Sequence, residues 1–166
     1  KFELLDTEYL LYPKHVEGFE GSFCDARSKS VNMGVFRNKE TGNVFIFATT
    51  HLWWKGDTSQ PGSSEVRKMQ IQMADELITK YQKKYDNCPV ILVGDMNARL
   101  DSPAIQWALT EGGYSHGHDV ATDFRHEGRG YNGCGPKKIG VWQDLPFPTA
   151  IDHVLVRDIK EGSVKR

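Results

Sequence analysis

Cysteine is scarce in this sequence: Cys24, Cys88 and Cys134 are the only three among 166 residues. They form no CxxC pair and no zinc spacing, so neither a disulfide framework nor a structural zinc module organises the chain. Charge of one sign is also missing. Twenty-one basic and 22 acidic side chains leave a formal net charge of −1, without the basic excess of a dedicated nucleic-acid binder; local basic patches remain compatible with it. No apolar run is long enough to span a bilayer. The sequence shows no internal repeat, no low-complexity linker and no signal-peptide pattern within residues 1–166. The first residue is Lys rather than Met, so a lost N-terminal extension is expected and the compartment stays open.

What is present suits one globular domain over residues 1–166, expected as a monomer. Apolar residues make up 39% and charged residues 26%, an ordinary balance for a chain that can bury one sizeable core. Four Trp, six Tyr and eight Phe argue against disorder.

Strand-like and helix-like segments alternate. Residues 2–12 read as one or two short strands, and residues 31–37 and 43–50 as two more, joined by a hairpin that ends in Gly42. A turn-rich loop over residues 52–62 leads to the strongest helical pattern. Ser64 is its expected N-cap, Val66, Met69, Met73, Leu77 and Tyr81 its apolar stripe, and Asn87 and Pro89 its end. Val90 to Val93 is a short apolar run of the kind buried on both faces of a sheet. Ser102-Pro103 opens a second helix, and Gly112-Gly113 closes it. Residues 114–149 read as long loops with short strands, and residues 151–156 as a final strand. The fold class is therefore α/β or α+β.

Three apolar strands meet polar residues abruptly: Thr49-Thr50-His51, Gly94-Asp95-Met96-Asn97, and Ile151-Asp152-His153. Strand ends are rigid platforms that can hold an acid, an amide and an imidazole in fixed geometry. Asp95 and Asn97 are two apart and, if extended, point the same way. An anionic oxygen beside a neutral amide suits a magnesium-bound water and a phosphate oxygen, and His51 can donate a charge-assisted hydrogen bond to a phosphoryl oxygen. Each motif also has a plainer reading: the Gly-Asp-x-Asn run as a turn, His51 as a structural histidine, Asp152 as a loop cap. Their joint placement at strand ends favours a site.

Thr50-His51-Leu52 after a strand, Arg67 and Gln70 on the next helix, Gly94-Asp95-Met96-Asn97 and Ile151-Asp152-His153 resemble, in order and spacing, the endonuclease/exonuclease/phosphatase superfamily. The opening FELLDTEYLLY looks like the strand pair of the nocturnin and carbon-catabolite-repressor deadenylase branch, and Tyr131-Asn132-Gly133 resembles the family's phosphate-side loop. The resemblance implies a two-sheet α/β sandwich of four layers, helices outside two packed mixed sheets. It implies magnesium, with manganese as a substitute, and in-line hydrolysis of a phosphodiester or phosphomonoester in nucleic acid or a nucleotide. By the same resemblance His51 contacts the scissile phosphate, Asp95 orients or deprotonates the attacking water, Asn97 binds phosphate, and Asp152 orients a catalytic histidine. Asp95 and Asn97 are the metal candidates within the chain, and Trp53, Asn132 and Arg27 the substrate-binding candidates.

Two parts of that pattern are missing. The early strand with its Asn and metal-binding Glu is expected before residue 1, and the closing Ser-Asp-His after residue 166. The chain is therefore expected to be a piece truncated at both ends, binding magnesium weakly and having little activity alone. A catalytically silent binding module that keeps the fold is the alternative. Trp53 and Trp54 offer either base stacking or packing. Arg67 and Gln70 share a helix face and are expected to brace the loop that carries His51. His116-x-His118-Asp119 reads as a zinc pair with an acid or as a solvated loop. Asn32 can approach phosphate or begin a strand, and Lys137-Lys138 reads as a solvated basic pair.

Overall fold

The computed structural model describes residues 1–24, 29–121 and 150–159. In chain order the elements are β1 (Phe2–Leu11), β2 (Ser30–Asn38), β3 (Val44–His51), α1 (Ser63–Lys84), β4 (Val90–Asp95), α2 (Pro103–Thr110), β5 (Ser115–His116), the single turn α3 (Gly117–Val120) and β6 (Asp152–Arg157). The strands form one six-stranded mixed sheet in the order β1-β2-β3-β4-β6-β5. Among the described residues only β3 and β4 pair in parallel, because α1 carries the chain back across the sheet between them, as a parallel connection requires. The 2–12 segment is one continuous strand, with a bulge between Leu4 and Asp6.

One face of the sheet is packed. Val31, Met33, Val35, Ile46, Ala48, Val90, Leu92 and Leu155 join Ile71, Ala74 and Ile78 of α1 and Ile105 and Ala108 of α2 in one core. Fully burying an aliphatic side chain of this kind contributes about 1.5–3 kcal/mol, so this layer supplies most of the driving force. The other face is open among the described residues: Leu4, Tyr9, Leu11, Phe47 and Val154 are all exposed. The expectation that Val90 to Val93 is buried on both faces is therefore corrected. Val90 and Leu92 are buried, while Ile91 and Val93 are half-covered. The second sheet of the expected sandwich does not occur among the described residues.

Helix α1 begins differently from its sequence reading. Its N-cap is Gly62, in the left-handed region at φ 85°, with no side-chain cap. A Cβ there would lie 2.1 Å from the Phe19 ring, so close packing demands glycine. Asp57 from the preceding loop accepts the Ser64 backbone N–H at 3.2 Å and bonds the Ser64 hydroxyl. It satisfies an orphan donor and places negative charge at the positive helix end. The buried stripe is also shifted. It runs through Val66, Arg67, Gln70, Ile71, Ala74, Ile78, Tyr81 and Gln82, whereas Met69 is exposed and Met73 and Leu77 are only partly covered. Three polar residues occupy the inner stripe, which an apolar-periodicity reading assigns to the surface. Helix α2 keeps its expected start, with Ser102 at the N-cap and Pro103 in the first turn.

Candidate active site

The strand register assembles a row of side chains across the open face of the sheet. His51 of β3 stands opposite Asp95 of β4, and Asp95 stands opposite Asp152 of β6. Because alternate residues of a strand share a face, these three side chains lie side by side, and His153 points to the packed face, where it is buried. Two carboxylates directly across from each other repel and cost stability unless a cation or proton sits between them. This places His51, Asp95 and Asp152 together as the sequence reading requires.

Gly94 makes the turn-in possible. Its φ is +148°, and a Cβ would fall 1.9 Å from the Thr50 carbonyl oxygen on the neighbouring strand. Thr50 itself faces the packed side. Its hydroxyl donates to the Ser30 carbonyl at 3.0 Å and so accepts from the Tyr12 hydroxyl at 2.5 Å, binding the ends of β1, β2 and β3 together. Burial pushes the Tyr12 phenol well above its ordinary range, with the Thr50 hydrogen bond as a smaller opposing effect.

Asp95 and Asn97 do come together, but not through extended geometry. The strand ends at Asp95, and Asn97 is left-handed at φ 46°, a conformation Asn tolerates better than most residues. The Asn97 backbone N–H donates to Asp95 Oδ1 at 2.9 Å, closing an Asx turn. The turn reading of this motif is realised, and the turn itself holds Asp95 and Asn97 together. The Asn97 amide donates from Nδ2 to the Leu52 carbonyl at 3.1 Å, which leaves the Oδ1 end of the side chain directed elsewhere.

A residue that the sequence reading passed over sits at the centre. Lys29 is only 3% exposed, and its ammonium lies 2.6 Å from His51 Nε2 and 3.0 Å from the Leu52 carbonyl oxygen. An ammonium has donors only. Nε2 must therefore accept, and the imidazole hydrogen of that tautomer sits on Nδ1. The 3.7 Å separation of His51 Nε2 from Asp95 Oδ2 is too long for a hydrogen bond, so Lys29, not Asp95, sets the tautomer. The expected donation from His51 to a phosphoryl oxygen is then confined to Nδ1. No periodic or motif signal marks Lys29; being two residues before Val31 on the strand that pairs with the His51 strand is its only hint.

Trp53 is corrected as a substrate contact. It is 1% exposed and packs edge-on to Phe23 at 5.9 Å between ring centroids, so neither ring face can receive a base. Arg67 and Gln70 brace the loop as expected. Gln70 Oε1 accepts the Trp53 N–H at 2.9 Å, and Arg67 Nη1 donates to the carbonyls of Trp53 at 3.3 Å and Lys55 at 2.6 Å. Asn32 is exposed and helps line an open depression of about 870 Å³ with Tyr9, Leu11, Ser30, Thr49, Thr50 and His51. Arg27 and Asn132 lie outside the described residues.

The zinc reading of His116-x-His118-Asp119 presumes an extended segment, whereas residues 117–120 form a helical turn. His116 turns inward and is buried. His153 Nε2 donates to the Ala98 carbonyl at 2.7 Å, so its Nδ1 accepts from His116 Nε2 at 3.1 Å. Burial lowers the His153 pKa, against smaller raising effects of the Ala98 carbonyl, Asp152 and Asp95.

Among the described residues no three His, Cys, Asp or Glu side chains converge as a complete metal set. The donor chemistry of the row nevertheless fits a hard cation in part. Asp95 and Asp152 supply carboxylate oxygens and Asn97 an amide oxygen, and magnesium commonly takes one or two carboxylates and keeps several waters.

The model of the endonuclease/exonuclease/phosphatase family matches residues 12–164. No curated protein matches the chain. Solved structures share its fold at low identity. A mannosyl-6-phosphatase of Bacteroides thetaiotaomicron is 20% identical, with a TM-score of 0.64 over 95% of this chain and 54% of that one. The human nocturnin catalytic domain with bound sulfate is 15% identical, with a TM-score of 0.59 over 95% and 48%. D. rerio TDP2 complexed with single-strand DNA product is 14% identical, with a TM-score of 0.56 over 96% and 54%. The chain spans about half the length of each of these structures.

Proposed function

Because this chain belongs to the endonuclease/exonuclease/phosphatase family, we propose that the His51–Asp95–Asp152 row is the core of a metal-dependent phosphoesterase site, acting on a phosphodiester or phosphomonoester of nucleic acid or a nucleotide. The observation that carries this reading is the register itself: an imidazole and two carboxylates side by side on three adjacent strands. Two carboxylates facing each other across β4 and β6 stand where one divalent cation could take an oxygen from each.

Asp95 and Asp152, with the Asn97 amide oxygen, would hold magnesium or manganese. When bound, the cation supplies charge neutralisation at the phosphate and a more acidic coordinated water. The chain's own groups supply positioning. His51 presents Nδ1–H as a neutral donor toward a phosphoryl oxygen, fixed by Lys29 behind it. The buried Lys29 cation adds a favourable field for an approaching dianion or monoanion. Asp95, held through Oδ1 by the Asn97 backbone, directs Oδ2 toward the attacking water. In-line phosphoryl transfer needs little covalent participation from the protein, so such positioning and electrostatics account for most of the catalysis. The open apolar face around Leu4, Phe47 and Val154 is where the second sheet of a sandwich would pack.

The test is Asp95→Ala in the protein that carries this domain. Magnesium-dependent hydrolysis of a generic phosphodiester should fall by about 100-fold or more. A near-unchanged rate would remove Asp95 from the chemistry.

A further inference from the structure

The segment Leu52–Lys55 belongs to no helix or strand, yet it is tied down through backbone groups of Leu52, Trp53 and Lys55, on both sides of Trp54. The Leu52 N–H donates to the Asp95 carbonyl at 3.1 Å. The Leu52 carbonyl accepts from Lys29 at 3.0 Å and from Asn97 at 3.1 Å. Gln70 takes the Trp53 N–H, and Arg67 reaches the carbonyls of Trp53 and Lys55. Gln70 is itself held by the Phe23 carbonyl at 3.2 Å. Arg67 and Gln70 are both buried, and burial pushes the Arg67 pKa down, partly offset by Asp57. Burying an arginine to fix a loop is costly unless the loop's conformation matters.

What this clamp presents is an aromatic side chain and a cation. Trp53 points in, and Trp54 points out with 53% of its surface exposed. The two rings are 6.0 Å apart and tilted by 50°, so Trp53 supports Trp54 from one side. The Lys55 ammonium lies 5.5 Å from the Trp53 ring and 5.7 Å from the Trp54 ring. Trp54 follows His51 by three residues, a span of at most about 11 Å of extended chain. An exposed indole on a rigid backbone, with a cation beside it, matches what single-stranded nucleobases require: a π-face whose ordering cost is already met, and a charge for the adjoining phosphate. A sugar would meet the indole through C–H contacts, whereas a nucleobase adds ring-on-ring overlap.

We propose that Trp54, with Lys55, is the stacking platform for a nucleobase adjoining the phosphate at His51, making single-stranded nucleic acid or a nucleotide the preferred substrate class. This rests on the phosphoesterase reading only for where the phosphate sits. Trp54 is a specificity-determining residue, not one that acts on the reacting atoms.

The test compares a short labelled single-stranded oligonucleotide with the same strand carrying abasic sites, by fluorescence anisotropy, in wild type, Trp54→Ala and Trp54→Tyr. Wild type should bind the base-bearing strand about tenfold or more tighter. Trp54→Ala should erase that ratio and leave abasic binding unchanged, and Trp54→Tyr should restore most of it. An equal loss for both strands, or no loss for either, overturns the platform. So does a wild type that does not distinguish the two strands, a comparison independent of how well either variant folds. Hydrolysis is scored separately. Cleavage of a sugar phosphate without base-dependent binding sinks the platform and spares the phosphoesterase reading, whereas base-dependent binding with no cleavage of any phosphoester does the reverse.

Discussion

The Lys29 ammonium lies 2.6 Å from Nε2 of His51, a side chain 22 residues further along the chain. This contact fixes which imidazole nitrogen carries hydrogen and anchors the carbonyl of Leu52 in the same stroke. Replacing Lys29 with Met keeps the stem and removes both donors. Stability should fall by about 1–3 kcal/mol, because His51 Nε2 loses the Lys29 donor and the Leu52 carbonyl is left with the Asn97 amide alone. Long-range proton–nitrogen NMR should show His51 shifting from one tautomer to a mixture. An unchanged His51 spectrum would mean that Lys29 does not set the tautomer.

Gly94→Ala should be among the most damaging small changes in the protein. The added methyl meets the Thr50 carbonyl oxygen at 1.9 Å while φ stays at +148°. Strain and overpacking together should cost at least about 3 kcal/mol, visible as a lower urea midpoint. A variant as stable as the parent would show that β3 and β4 separate there without penalty.

Stability should decline below neutral pH through His153. Its folded-state pKa lies below the ordinary histidine value because burial disfavours the charged ring. The unfolded chain therefore binds the proton more readily. The stabilising contribution is complete above about pH 6.5 and is lost as pH falls toward the folded value, with a slope of at most about 1.4 kcal/mol per pH unit. The facing groups are His116, Asp152, Asp95 and the Ala98 carbonyl. Urea midpoints at pH 7.5 and 5.5 should differ in the parent, and His153→Asn should flatten that difference.

Asp75 should be structurally important yet chemically silent. It accepts from Arg157 at 2.7 Å and from the Tyr114 hydroxyl at 2.9 Å, tying α1 to β6 on the packed face. Asp75→Ala leaves a largely buried Arg157 without its counter-charge and should cost about 3 kcal/mol. Oligonucleotide binding at a temperature where the variant is folded should match the parent. A loss of binding without a loss of stability would contradict this assignment.

Magnesium should raise the melting temperature, and chelation should reverse the gain, because a ligand of the folded state alone stabilises by mass action. Asp152→Asn should blunt this response, because it removes one of the two carboxylates that face each other across β4 and β6. With magnesium most of the gain should be gone. An Asp152→Asn protein that retains the full magnesium response would remove Asp152 from the cation site.

The central motifs were legible in the sequence because each joins a strand, where periodicity is strong, to residues with few alternative uses. His51, Asp95, Asn97 and Asp152 stand where strand-end reasoning put them. So do Arg67 and Gln70, read as loop braces from their shared helix face. Lys29 was illegible: a lone lysine before a strand has the same local pattern as a solvated one, and only the pairing of β2 with β3 reveals that it is buried. The α1 stripe was misplaced for a related reason, since buried Arg67, Gln70 and Gln82 break an apolar count that assumes an oily inner face. The start of α1 was misread by two residues because Asp57, five residues upstream of Gly62, does the capping. Trp53 and Trp54 are indistinguishable by composition, and the Gln70 bond to the Trp53 N–H and the Phe23 ring hold Trp53 inward.

The strand order has a consequence for the way the molecule opens. The site row lies on β3, β4 and β6, which have β2 and β1 on one flank and β5 on the other. Fraying starts at sheet margins, where amides lack a second neighbour. In hydrogen–deuterium exchange, the margin-facing amides of β1 and the two-residue β5 should therefore label early, while those of Thr50 to His51 and Val93 to Asp95 label only when the whole sheet comes apart. The geometry of the proposed site and the global fold would then share one lifetime, so a mutation that merely loosens an edge leaves the row intact.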